Sequence, residues 1–201
     1  MPDLPAYLTG SGARAIAFDC YGTLLAIRDE RRPYGRLAAL AGRRLNPSPM
    51  TSRMTLRDVV SRNVIPIELD DGTIERLEAD LQAELASIEP LPGALDVLGR
   101  LRERGFRLAI VSNLAAPYAK PIKRWLGPLI DVQVLSFEIG AAKPLAVIYE
   151  EACRRLGLRP SEVLMVGDSL RNDVAGPMAA GLQARHLSPG ATLRELLRDL
   201  L

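Results

Sequence analysis

A chain of 201 residues, 48% hydrophobic and 25% charged, can bury one core and carry a modest insertion, but hardly two independent domains. Its formal net charge of +2 is spread along the chain, without Lys/Arg clusters interleaved with aromatics, which argues against nucleic-acid binding. No apolar run approaches membrane-spanning length, no basic start precedes an apolar leader, and the two cysteines lie far apart, so a soluble protein of the reducing cytoplasm with no membrane partner is expected.

In chain order, the apolar run from Ala13 to Asp19 followed by Tyr21-Gly22-Thr23 reads as a buried strand that delivers Asp19 to a loop. From about Ala26 to Glu89 come arginine-rich and Leu/Ala-rich stretches, broken by Asn46-Pro47-Ser48-Pro49 and Asp70-Asp71-Gly72, that predict two to four helices. Pro90-Leu91-Pro92-Gly93 returns the chain to the core. Leu95, Leu98 and Leu101, stopped by Gly105, predict a helix, and strands follow at Phe106–Val111 and Val132–Phe137. A helix over Ala146–Leu156, between Pro144 and Gly157, leads to a strand at Val163–Val166 and a weaker one at Ala184–Leu187.

Alternating strands and helices imply an α/β fold with a Rossmann-like, mostly parallel sheet. The helical block fits as a small inserted cap, giving a core of residues 1–25 and 90–201 and a cap of 26–89. Ligands in such folds bind beyond the carboxyl ends of the strands. Four polar groups fall there: Asp19 with Thr23, Ser112 with Asn113, Lys143 before Pro144, and Asp168 with Asp173.

Together these residues suit phosphoryl transfer, in which a carboxylate attacks phosphorus while a cation, a lysine and hydroxyl or amide donors neutralise the equatorial oxygens. Magnesium prefers oxygen ligands and keeps several waters, so Asp19, one backbone carbonyl (that of Tyr21) and Asp168 would hold it, with Asp173 a further or indirect ligand. Lys143 would keep Asp19 ionised.

The order Asp-x-x-x-Thr, Ser-Asn, Lys-Pro and Gly-Asp-Ser-x-x-Asn-Asp resembles the haloacid dehalogenase superfamily from about Ala13 to Leu187. The resemblance implies a Rossmann-like core, a helical cap after the first motif, and a covalent aspartyl intermediate on Asp19. It also exposes a departure, because phosphatases of the superfamily usually carry a second aspartate two residues after the nucleophile, to protonate the leaving group, and here that residue is Tyr21. Tyr21, and Tyr149 six residues beyond Lys143, resemble substrate-binding tyrosines of the metal-independent 2-haloacid dehalogenases.

Against a dehalogenase, the fourth motif keeps its acidic form, and Asp168 beside Asp19 would repel a carboxylate substrate unless a cation lay between. The leading expectation is therefore a magnesium-dependent phosphomonoester hydrolase acting on a small anionic substrate. The alternatives are a 2-haloacid dehalogenase and a phosphate-sensing or scaffold protein that has lost turnover. The cap has no lysine, which disfavours the imine chemistry of phosphonoacetaldehyde hydrolases.

Several of these residues also have ordinary structural readings. Thr23 and Ser112-Asn113 could cap local turns, Asp173 could be a charge at a helix N-terminus, and Tyr149 could be core. Cys20 is expected to pack in the core, and His186 to be structural. Arg31, Arg32, Arg36, Arg43, Arg44 and Arg53 of the cap are candidate anion contacts, most of them expected to be solvated. A monomer or a homodimer is expected.

Overall fold

The computed structural model describes residues 12–42, 44–46, 48–61 and 69–201. Strand β1 (Ala15–Phe18) has no polar side chain and no exposed surface, as befits a strand covered on both faces. After it, β2 (Leu25–Ile27) pairs antiparallel with β3 (Ile88–Pro90), Ala26 opposite Glu89. Between them lie α1 (Pro33–Leu40), α2 (Leu56–Ser61) and α3 (Asp71–Ala86). Asp70 starts α3 by accepting the Thr73 amide at 2.8 Å, an N-cap that satisfies an otherwise orphan donor.

The remaining chain alternates as the pattern predicts. It runs through α4 (Ala94–Glu103), β4 (Arg107–Ser112), α5 (Ala119–Leu126), β5 (Val132–Leu135), α6 (Ser136–Ile139) and α7 (Ala146–Leu156). It ends with β6 (Val163–Gly167), α8 (Gly176–Ala179), β7 (Gln183–His186) and α9 (Leu193–Leu196). Five strands form one parallel sheet in the order β5-β4-β1-β6-β7. The chain first winds outward from β1 through β4 and β5, then crosses back to β6 and β7, so a topological switch point lies beside β1.

Alternation along β1 sends Ile16 and Phe18 to one face of the sheet and Ala15 and Ala17 to the other. The first face is covered by Val97, Leu98 and Leu101 of α4 and by Ile122 and Leu126 of α5. The second face packs on Ile148, Tyr149, Ala152 and Leu156 of α7. A separate cluster joins Leu37, Leu56, Val59, Leu77 and Leu81 of the inserted helices, with Tyr118 of the segment after β4 against it.

Three details differ from the sequence reading. The stripe of α4 runs through Ala94, Val97, Leu98 and Leu101, and Leu95 is exposed. The strand expected over Val132–Phe137 stops at Leu135, and Phe137 lies in the turn of α6. The β2–β3 ribbon at the mouth of the insertion was not anticipated, because three-residue strands are too short to leave a period. Arg43 and Pro47 lie outside the described residues.

Candidate active site

The switch point gathers the polar loops. Because β1 sits between β4 and β6, the segments that follow these strands open side by side. Asp19 follows β1 directly, its amide donating to the Val166 carbonyl at 2.8 Å and so holding it in line with the sheet. Ser112 ends β4 and Asp168 follows β6, while Lys143 reaches in from the loop between α6 and α7.

Lys143 is the centre of the arrangement. Its Nζ lies 2.6 Å from Asp19 Oδ1 and 2.6 Å from Asp173 Oδ1, with all three residues buried. Burial lowers the Lys143 pKa, but the two carboxylates outweigh it and the net shift is upward, so the ammonium stays charged. Burial drives Asp19 the other way, and with Asp173 it prevails over the attraction of Lys143 to raise the carboxyl to about 6. Lys143 thus opposes the upward pull of burial on Asp19, the direction the sequence led us to expect.

Asp173 is buried, and it lies in the first turn of a helical segment while also reaching the lysine. It sits inside a π-helical turn, Leu170–Ala175, with its second oxygen accepting the Ser169 amide at 2.9 Å. Gly167 makes this possible, since a β-carbon there would occupy the space of the Asp173 carboxylate. Gly22, at φ +92°, similarly leaves room for the Asp168 carboxylate and adopts a conformation that side chains disfavour.

Oxygen atoms of Asp19, Asp168 and Asp173 all lie within 4.8 Å of one another. Three carboxylates against one ammonium leave a local excess of negative charge, and hard oxygen donors at this spacing suit a small divalent cation. The donor set therefore fits magnesium.

The other expected residues divide. Ser112 Oγ reaches Asp19 Oδ1 at 3.4 Å, and Thr23 is fully buried with no hydrogen-bond partner for its hydroxyl among the described residues. Asn113 spends both ends of its amide on Lys143, donating to its carbonyl at 2.9 Å and accepting its amide at 2.7 Å, so it positions the lysine loop. Tyr149 has no exposed surface, and its hydroxyl donates to the Asn172 carbonyl, because the apolar stripe of α7 carries it into the core, which favours the core over the substrate reading. Tyr21 faces a cavity of about 620 Å³ that reaches under the inserted helices and also touches Asn113. Its hydroxyl donates to the Tyr118 carbonyl at 2.6 Å, and burial pushes its pKa far above the ordinary phenol range.

Two contributors escaped the sequence reading. Glu84 of α3 is buried, its Oε2 accepting the Arg31 and Arg32 amides at 2.6 Å each, and its Oε1 accepting the Tyr118 hydroxyl. A chain of hydrogen bonds thus runs from Tyr21 through Tyr118 to the inserted helices. The signal was an acid on an apolar stripe: Ile74, Leu77, Leu81 and Glu84 share one buried face. Tyr118 carried no comparable mark.

Among the cap arginines, Arg31 and Arg36 pair with Asp80, Arg32 with Glu30 and Arg53 with Glu138. Arg32 and Arg44 line the cavity. His186 holds the Asp168 carbonyl through Nε2 at 2.9 Å, and Cys20 is a buried free thiol.

The motifs on these loops are those of a defined class. The sequence pattern of the haloacid dehalogenase-like hydrolases matches residues 13–181, and the chain belongs to that family. It is 40% identical over 101 residues to a glyceraldehyde 3-phosphate phosphatase of Methanopyrus kandleri, covering 49% of this chain and 43% of that protein. It is 35% identical over 114 residues to a ribulose-1,5-bisphosphate 5-phosphatase of Halopiger xanaduensis, covering 56% and 48%. The chain thus spans about half the length of these curated relatives. A longer match, 28% identical over 177 residues, joins 81% of it to 76% of an N-acetylmuramic acid 6-phosphate phosphatase of Pseudomonas aeruginosa.

In fold, the chain is similar to a crystal structure of a HAD family enzyme from Bacteroides thetaiotaomicron in complex with magnesium and inorganic phosphate. The TM-score is 0.70 at 17% identity, covering 92% of this chain and all of that one. A HAD phosphatase from Thermococcus onnurineus aligns with a TM-score of 0.65 at 24% identity, covering 93% and 97%. No helix among the described residues is long and apolar enough to cross a membrane.

Proposed function

We propose that this chain is a magnesium-dependent phosphomonoester hydrolase that forms a covalent phospho-aspartyl intermediate on Asp19. The observation that carries the reading is the buried Lys143 between Asp19 and Asp173, with Asp168 completing three carboxylates within 4.8 Å. A 2-halo acid would meet those carboxylates as a like charge, and Tyr149 is too deeply buried to contact it. The relatives named above are phosphatases, which supports the same reading over the dehalogenase alternative, for which Tyr21 is the one remaining feature.

In this reading an Asp19 oxygen bonds to phosphorus as the ester P–O bond breaks, and water later attacks the phosphoryl group and frees the carboxylate. Lys143 offsets charge on Asp19 and the phosphoryl oxygens, while the Ser112 hydroxyl donates to the same oxygens. Asn113 keeps the lysine in place through its backbone. Magnesium held by Asp19, Asp168, the Tyr21 carbonyl and, directly or through a bound water, Asp173 would supply charge neutralisation at the phosphoryl group.

Residues 26–89 would act as the cap that closes on the ester, with 1–25 and 90–201 as the core. A small phosphate ester, a cytoplasmic site of action and a monomer or homodimer belong to the same reading. The test is phosphate release by the purified chain with magnesium, with excess chelator and with Asp19→Asn. Activity abolished by both is expected, and activity that survives either one refutes the proposal.

A further inference from the structure

We propose that the ester this site turns over has a flat, apolar leaving group whose oxygen departs as a stabilised anion, an aryl or enol phosphate, seated in the cavity beside Tyr21. The inference rests on the phosphatase reading above and narrows its substrate class. Two independent features of the structure converge on it.

The first is the cavity. Its volume of about 620 Å³ is that of an ordinary small-molecule site, and Tyr21, Ile27, Tyr34, Leu45, Met50 and Leu114 give it a largely apolar wall. Most polar groups on the wall are engaged elsewhere: Glu84 accepts three hydrogen bonds, the Tyr21 hydroxyl donates to the Tyr118 carbonyl, Asn113 is spent on Lys143, Arg32 pairs with Glu30 and the Ser48 hydroxyl accepts the Met50 amide, while Arg44 also lines the cavity. A polyol would leave hydroxyls with few partners here, which costs binding. A ring would instead meet aromatic neighbours: Tyr21 and Tyr118 stand edge to face, 5.9 Å apart at 84°, and Tyr34 lies 6.4 Å from Tyr118.

The second is proton supply. When Asp19 bonds to phosphorus and the ester bond breaks, the electron pair leaves on the ester oxygen. An alkoxide needs a proton at that moment. The residue two positions past the nucleophile is a tyrosine whose proton lies on a backbone carbonyl, and Glu84 on the cavity wall serves only as an acceptor. A phenolate or enolate carries the pair unaided and takes its proton from solvent afterwards. Water then attacks phosphorus, the Asp19–phosphorus pair returns to the carboxylate, and the proton of the water passes to the released phosphate.

The experiment measures kcat/KM with magnesium for 2-naphthyl, phenyl and benzyl phosphates and for glycerol 3-phosphate, in the full chain and in Tyr21→Asp and Ala38→Met. Phenyl and 2-naphthyl phosphates have similar leaving groups, so their ratio reads the cavity; about a tenfold preference for naphthyl is expected, and Ala38→Met, which narrows the wall, shrinks it. Phenyl and benzyl phosphates have similar apolar bodies, so their ratio reads the leaving group. At least about a hundredfold preference for phenyl is expected, falling in Tyr21→Asp, with thermal melts confirming that the variants fold. Equal rates for phenyl and benzyl phosphates, or a preference for glycerol 3-phosphate, overturn the inference and leave the phosphatase reading standing. No magnesium-dependent phosphate release from any of these esters overturns both.

Discussion

Replacing Lys143 by methionine keeps most of the side-chain stem and removes the charge that separates Asp19 from Asp173. The Nζ lies 2.6 Å from each carboxylate, and its side chain is only 2% exposed, so solvent cannot take its place. Breaking a buried ion pair by deleting one partner costs about 3–5 kcal/mol, because the remaining charge stays desolvated. For a domain of this size that corresponds to a fall in Tm on the order of 10 °C. The pH dependence gives the argument a sign. In the parent protein Asp19 titrates at about 6 against an ordinary 3.8, so between those values the folded state holds a proton that the unfolded state has lost, and stability declines as pH rises through that window. Without Lys143 the attraction that opposes burial disappears and the carboxyl moves higher still. The deficit of Lys143→Met, measured by urea titration in chelator, should therefore be largest at pH 8, shrink toward pH 5, and shrink again on adding magnesium at pH 8. A deficit below about 1 kcal/mol at pH 8, or one that grows on acidification, would refute the electrostatic account of this centre.

Three other substitutions probe the supporting structure. Gly167→Ala places a methyl group against an Asp173 carboxylate already held by Lys143 and the Ser169 amide, so a loss of about 1–3 kcal/mol together with weaker magnesium binding by calorimetry is expected; unchanged magnesium affinity would show that Asp173 has no part in the metal site. Tyr149→Phe removes the hydroxyl that the half-buried Asn172 carbonyl accepts and should cost about 1 kcal/mol in denaturation with KM unchanged, whereas a tenfold rise in KM would make the tyrosine a substrate contact after all. Glu84→Gln weakens the bonds from Tyr118, Arg31 and Arg32, so a loss of about 1.5–3 kcal/mol is expected in a urea titration, and no measurable loss would mean the link between the inserted helices and the core is slack.

The short apolar runs, the Gly and Pro stops and the order of the motifs were enough to anticipate the alternating fold, the parallel sheet and the convergence of Asp19, Ser112, Lys143 and Asp168, because strand ends in such a sheet necessarily meet at one edge. The sequence by itself also showed that Tyr21 stands where an acid was expected. Whether that tyrosine is free to donate depends on a partner 97 residues away, the Tyr118 carbonyl, and only the packed chain brings the two together. The same holds for Asn113, which spacing marks as a catalytic candidate and contact with the Lys143 backbone makes a positioning residue, and for Tyr149, whose helical period fitted core and site equally until its hydroxyl met Asn172. Periodicity reports which face of an element is apolar, and motif order reports which loops meet. The hydrogen-bond partner of each side chain is chosen by tertiary packing, and here that choice decides which residues are left to act on a substrate.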